Sequence, residues 1–185
     1  VQRGEAVWLK GASGIGKTTL MKSLAGVWPH GSGQVIVPAG SAIFLPQQPY
    51  FPLGGIADAV AYPRPAGDFA SHEIEAALIL AGIAPARIEA LGTGPVEGLS
   101  GGERQRLALA RLFLHEPEWI FLDEATSALD TRSEKSLLEA LRRRLPEATL
   151  VIVSHRPPSA VGGFRVVDLD ANVPGYGHAG TLENA

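Results

Sequence analysis

Gly11-Ala12-Ser13-Gly14-Ile15-Gly16-Lys17-Thr18 sets three glycines, a lysine and a hydroxyl at the spacing of a phosphate-binding loop. Glycines let consecutive backbone N–H groups turn inward around a phosphate chain. A helix starting near Lys17 would aim the positive end of its dipole at the same point. The Lys17 ammonium can reach the β- and γ-phosphates of a nucleoside triphosphate. The hydroxyl of Thr18, which Thr19 follows in the same turn, can ligate Mg2+. Such a site also needs a carboxylate for the metal and a group that orients water. Trp119-Ile120-Phe121-Leu122-Asp123-Glu124 supplies both. Asp123 is the natural metal partner, and Glu124, one residue on, can polarise an attacking water.

These groups work together only if a fold brings them together. Ala6 to Leu9 is an apolar run that ends in the glycine-rich turn, which predicts a buried strand. From Lys17 onward Leu20, Met21 and Leu24 fall at helical spacing, and Gly26 with Pro29 stops that helix. Val35-Ile36-Val37 and Ile43-Phe44-Leu45 are two more short apolar runs, and residues 46–65, rich in proline and glycine, predict an irregular connection. A helix is predicted over 71–81, with Ser71 as its cap and Ile74, Leu78 and Leu80 or Ala81 facing inward. After the glycine-rich residues 92–98 a second long helix is predicted over 101–114, its polar face lined by Arg104, Arg106 and Arg111. Trp119 to Leu122 reads as a strand and 133–145 as a helix ended by Pro146. Thr149 to Val153, rich in β-branched residues, and Phe164 to Leu169 read as strands, and the glycine-rich tail from Asn172 as poorly ordered. Apolar strands alternating with helices predict an α/β fold whose mostly parallel sheet is covered on both faces. The stretch from about Gly54 to Leu114 has no convincing strand and reads as an inserted helical lobe. Ligands collect at the carboxyl ends of parallel strands, which puts Asp123 beside the phosphate loop.

Composition narrows the alternatives. The chain has 185 residues, 45% of them hydrophobic and 19% charged, enough for one domain or two small lobes. A formal charge of −3 argues against holding nucleic acid by bulk charge. The absence of cysteine excludes thiol catalysis, disulfides and cysteine-ligated zinc. The most apolar stretch, around residues 76–86, is too short to cross a bilayer. His30, His72, His115 and His178 show no metal-ligand spacing, and Arg142 to Arg144 read as the solvated end of a helix, where cations favour its dipole.

Leu99-Ser100-Gly101-Gly102-Glu103-Arg104-Gln105-Arg106 resembles the signature of ATP-binding-cassette (ABC) ATPases. Its chemistry is a second anion site, a hydroxyl and free N–H groups at a helix N-terminus, which in that family closes on ATP held by the opposite subunit. Further family landmarks follow in order. Gln47, in Leu-Pro-Gln-Gln-Pro-Tyr, resembles the glutamine that senses Mg2+; Gln48 is adjacent, and the choice between them rests on the family register. Ser127-Ala-Leu-Asp130 resembles the D-loop of the dimer interface, and His155, after Val151-Ile-Val-Ser, the switch histidine that contacts the γ-phosphate. The likeness runs from about Gly4 to Leu169. Trp28-Pro, the same Leu-Pro-Gln-Gln-Pro-Tyr segment, Ala61-Tyr-Pro and Ser154-His-Arg156 add a narrower similarity to cassettes fused behind a membrane domain, in the peptide-antibiotic, vitamin B12 and peroxisomal fatty-acyl transporter group.

The resemblance implies a P-loop NTPase fold with an ATPase core at 1–53 and 115–171, a helical lobe bearing the signature at 54–114 and a tail at 172–185. It implies ATP and Mg2+ as cofactors. ATP would be bound by residues 11–19 of one copy and by Ser100, Gly101, Gly102, Glu103 and Asp130 of another, and the metal by Thr18, Gln47 and Asp123. Glu124, His155 and Gln47 would be the catalytic groups. The implied partners are a second cassette, in a head-to-tail homodimer, and a transmembrane domain on the same full-length chain, with no nucleic acid. The implied location is the cytoplasmic face of a membrane, a bacterial inner membrane above all. Family members carry antiparallel strands before the phosphate loop, with an aromatic residue that stacks on adenine. Only ten residues precede Gly11 here, which implies a C-terminal piece of a longer protein. Trp8 is read as core. Cassette ATPases of the chromosome-maintenance type insert a long coiled coil between glutamine and signature, whereas 52 positions without heptads separate Gln47 from Leu99. A soluble cassette protein acting in translation or regulation, a class that usually carries two cassettes on one chain, and a non-catalytic interaction fragment are the remaining readings.

Overall fold

The computed structural model describes residues 1–28, 30, 40–92, 94–158 and 163–170. The expected strand at Val35 to Val37 and the tail from Asn172 lie outside them. Among the described residues five strands form one sheet in the order β2-β3-β4-β1-β5, with every pairing parallel. The strands are β1 (Ala6–Lys10), β2 (Ala42–Leu45), β3 (Trp119–Asp123), β4 (Thr149–Val153) and β5 (Arg165–Asp168). Each runs within a residue or two of the apolar stretch that predicted it.

Side chains alternate across a strand, so each strand feeds two cores. Val7, Leu9, Phe121, Val151 and Val153 face helix α1 (Lys17–Leu24), where Met21 is fully buried among them. Ala6, Leu45, Ile120, Leu122, Leu150 and Ile152 face the other way and join the larger core. Its helical part comprises α2 (Ile56–Ala61), α3 (Ser71–Leu80), α4 (Pro85–Leu91), α5 (Gly101–His115) and α6 (Thr131–Arg144). From Gly54 to Leu114 no described residue belongs to the sheet; a single bridge joins Gly55 to Pro95. No described helix is long and apolar enough to cross a membrane.

Local chemistry overrides several expectations. Residues 46–65 are not irregular throughout. Gly55 turns the chain into α2, and the Asp58 carboxylate accepts the Gly55 N–H at 3.0 Å. Ser71 is the first helical residue of α3 rather than its cap, because Glu73 reaches back to the Ala70 N–H at 2.7 Å and starts the helix one residue earlier. Ile74 and Leu78 face inward as expected, joined by Ala77, and of the two alternatives at the helix end Ala81, just past α3, is buried while Leu80 is exposed. Helix α4 forms at a stretch with no predicted element, with proline at its first position, where the missing N–H costs nothing. Helix α6 begins two residues before its predicted start, capped by the Asp130 carboxylate on the Ser133 N–H at 2.9 Å. Its basic end is less solvated than expected: Arg142 donates to Gly4 O and Ala148 O, and Arg144 pairs with Glu116 at 2.6 Å.

Candidate functional site

The phosphate loop connects the carboxyl end of β1, which lies between β4 and β5, to the amino end of α1. Gly14 and Gly16 have φ of 80° and 98°, in the left-handed region that side chains rarely adopt, and open space surrounds both. Gly16 caps α1 without any side-chain hydrogen bond, and no acidic residue stands in the helix's first turn. The first N–H groups of α1 therefore have no carboxylate of their own. The Lys17 ammonium folds back onto the loop, donating to Gly11 O at 2.7 Å and Ala12 O at 2.8 Å.

Strand β3 lies two places from β1, with β4 between them. Its last residue, Asp123, is buried and takes a hydrogen bond from the Thr18 hydroxyl. Burial pushes the Asp123 carboxyl above the ordinary aspartate range, while the Thr18 hydroxyl works against that shift. A hydroxyl and a carboxylate in contact form the all-oxygen donor set that suits Mg2+. Glu124 follows with φ of 53°, uncommon for a residue with a side chain, and its N–H extends the ladder to Val153 O at 2.9 Å. Its Oε1 lies 3.0 Å from His155 Nε2, at the end of β4. Lys17, Thr18, Asp123, Glu124 and His155 thus stand at the same edge of three adjacent strands.

The remaining candidates sit apart from the loop. Gln47 and Gln48 both border a cavity of 520 Å3 with Gly101, Arg104, Gln105 and Ala128, so the structure does not choose between them. Ser100 caps α5 through a reciprocal pair: its hydroxyl accepts the Glu103 N–H, and Glu103 Oε2 accepts the Ser100 N–H at 2.9 Å. Arg87, 2.6 Å away, and Ser100 hold the Glu103 carboxyl down at about 2. Among the described residues no hydrogen bond or ion pair joins Ser100, Gly101, Gly102 or Glu103 to residues 11–19. Asp130 is engaged in capping α6, with the Ser133 hydroxyl donating to its second oxygen at 2.6 Å.

A family model described as ABC transporter matches residues 1–127. The chain belongs to the ABC transporter family. It is 40% identical over 158 residues to an ABC transporter ATP-binding protein of Haemophilus influenzae, covering 83% of this chain and 26% of the relative. It is 38% identical to the inner membrane ABC transporter ATP-binding protein YddA of Escherichia coli, covering 85% of this chain and 28% of that one. It is 32% identical to the ATP-binding cassette sub-family D member 1 of Drosophila melanogaster, covering 85% and 23%. A bacterial Atm1-family ABC exporter solved with ATP bound superposes with a TM-score of 0.76 at 30% identity, over 84% of this chain and 30% of the exporter. The chain spans about a quarter of the length of these curated relatives. It has the P-loop NTPase fold and is an ABC transporter ATP-binding domain.

Three features of this ABC transporter domain escaped sequence reasoning. Arg111, expected on a polar face, is buried. It donates to Ala59 O at 2.8 Å and Tyr50 O at 2.7 Å, and its guanidinium lies against the Phe51 and Tyr62 rings. Burial lowers its pKa to about 10, still charged at neutral pH, so one cation ties the segment after Gln47 to α2 and α5. Asp170 gives both carboxylate oxygens to the Ala12 N–H, at 3.0 and 2.9 Å. Trp8, read as core, is half-buried and lines a cavity of 720 Å3 with Lys17, His155 and Val166. Its indole N–H donates to Ser154 O at 3.4 Å. An apolar run before a glycine loop carries no sign that one of its members faces a cavity.

Proposed function

We propose that this chain binds and hydrolyses ATP with Mg2+ as the motor of a membrane transporter, two copies closing head to tail on two nucleotides. The observation that carries the reading is the meeting of Lys17, the Thr18–Asp123 contact and the Glu124–His155 contact at adjacent strand ends. Residues 11–19 would hold the phosphates, Lys17 leaving its loop carbonyls for the β- and γ-phosphate oxygens. Thr18, Asp123 and Gln47 would hold Mg2+, which when bound neutralises phosphate charge. Glu124 orients the attacking water, and His155 stabilises charge on the transferred phosphoryl group.

Among the described residues the signature turn, Ser100 to Glu103, makes no hydrogen bond with its own phosphate loop, which supports its closing on the nucleotide of a second copy, with Asp130 on the shared face. Closure on ATP and reopening after hydrolysis would move the helical residues 54–114 against the sheet and drive a transmembrane domain. The greater length of the relatives supports such a domain on the same full-length chain, and the name of the Escherichia coli relative supports a place at the cytoplasmic face of a bacterial inner membrane.

Turnover and solution mass of the Glu124→Gln chain, with and without Mg-ATP, test this. ATP binding should persist, turnover should fall by roughly 10²–10⁴-fold, and the mass should double only with Mg-ATP. A monomer under both conditions overturns the shared site, and a native rate removes Glu124 from its role.

A further inference from the structure

The His155 side chain is 72% exposed, and among the described residues its partner is Glu124 Oε1 at 3.0 Å. An exposed ring is not placed by packing, so its aim depends on how the backbone on either side is held. Ser154 Oγ donates to Arg156 O at 2.6 Å and closes a tight turn around His155. On one side of that turn the Trp8 indole N–H holds Ser154 O. On the other, the Arg156 guanidinium donates to Leu129 O at 3.0 Å and to the Thr131 hydroxyl at 3.4 Å. It also lies 3.8 Å from Glu134 Oε2.

Glu134 is nearly fully buried in the first turn of α6. Its Oε1 accepts the Thr126 hydroxyl at 2.7 Å, whereas Oε2 has no hydrogen-bond partner among the described residues. A carboxylate out of water needs a nearby cation, and among the described residues Arg156 supplies it. The 3.8 Å separation exceeds a hydrogen bond, so the attraction leaves slack. A cavity of 200 Å3 bordered by Glu124, Glu134, His155 and Arg156 leaves room for the guanidinium to move.

We propose that Glu134 and Arg156 are positioning residues for His155: a buried carboxylate holds the guanidinium that straps the His155 turn to residues 129–131. The proposal rests on the ATPase reading for its kinetic consequence but not for its structural one. A shift of residues 129–131 would then move His155 relative to Glu124 through Arg156.

The test uses Glu134→Gln, which keeps the size and the acceptor for Thr126 but removes the charge, together with Arg156→Ala and Arg156→Lys. In the nucleotide-free chain the NMR resonance of the His155 ring, assigned by its loss in His155→Gln, should move in Glu134→Gln and Arg156→Ala. The ring of His72, exposed on α3, should stay in place. With ATP, kcat should fall about tenfold with KM within about twofold, and Arg156→Lys should recover part of the loss. A His155 resonance that stays put in both variants overturns the strap, whatever the turnover. Absence of hydrolysis in the unaltered chain overturns the ATPase reading and leaves the resonance test to decide the strap. Should Glu134→Gln unfold, the half-exposed Arg156 gives the same result from the accessible side.

Discussion

Helices α1 and α5 both start at a glycine-rich turn, yet they treat their unpaired backbone donors in opposite ways. At α1 the cap is a left-handed glycine that offers no side-chain acceptor, and no acidic residue follows in the first turn. The charge that the first turn itself carries is Lys17, parked on two carbonyls of its own loop. At α5 the Ser100 hydroxyl and the Glu103 carboxylate satisfy each other's backbone, and Arg87 pins that carboxylate. The first turn is left open to a ligand, and the second is largely closed on itself. A phosphate chain can enter at α1 by displacing the loop carbonyls from Lys17 and the Asp170 carboxylate from the Ala12 N–H, but at α5 it can only add to a turn that is already built. That difference fits a binding loop that holds nucleotide alone and a signature turn that contributes after a second copy brings the nucleotide to it.

Replacing Lys17 should break the comparison most severely. Hydrogen bonds to charged groups contribute about 1.5–3 kcal/mol each, so Lys17→Ala should weaken ATP binding by roughly 100-fold or more. The thermal midpoint without nucleotide should barely move, because the loop carbonyls it releases can turn to water. Unchanged affinity in a titration would show that the α1 turn is not the phosphate site. At α5 the expected loss is of the opposite kind. Ser100→Ala removes a cap worth about 1 kcal/mol, so chemical denaturation should register the change while affinity for ATP in the monomer stays near native. If Ser100→Ala weakened monomer binding as much as Lys17→Ala, the two turns would not divide the work in this way.

How far the sequence could be read depended on where the information sits. The phosphate loop, Asp123 and Glu124 were legible because each needs a residue type next to a strand end, and the strands were short apolar runs with clear stops. Helix α2 was missed because Pro52, Gly54 and Gly55 dominate its approach, and a capping carboxylate three residues into a helix outweighs them only once formed. Arg111 was misplaced for a different reason. Its spacing on α5 suits a polar face, but that face is covered by the segment from Tyr50 to Tyr62, and the carbonyls that receive it are invisible in a sequence. Glu134 was passed over as one acid in a charged helix. Its burial follows from the packing of α6 against the loop after β3, a contact between segments whose meeting no local pattern announces.

The smallest effect expected sharpens the comparison from the acid side. The Arg87 guanidinium and the Ser100 N–H and hydroxyl hold the Glu103 carboxyl at about 2, below the 4.5 of an unperturbed glutamate. A carboxyl depressed in the folded state binds its proton more readily when unfolded. Its contribution is therefore complete above about 4.5 and is lost as pH falls toward 2. Glu103 stands near the surface, so salt should reduce the effect. Denaturation series between pH 5 and pH 2, at low and high ionic strength, should show a steeper acid slope for the native chain than for Glu103→Gln, with the gap narrowing in salt. No matching slope comes from the start of α1, which has no acid in its first turn. Equal slopes in the two chains would mean that the α5 turn is held by the Ser100 hydroxyl alone, and that it is nearly as open to a ligand as the turn at Lys17.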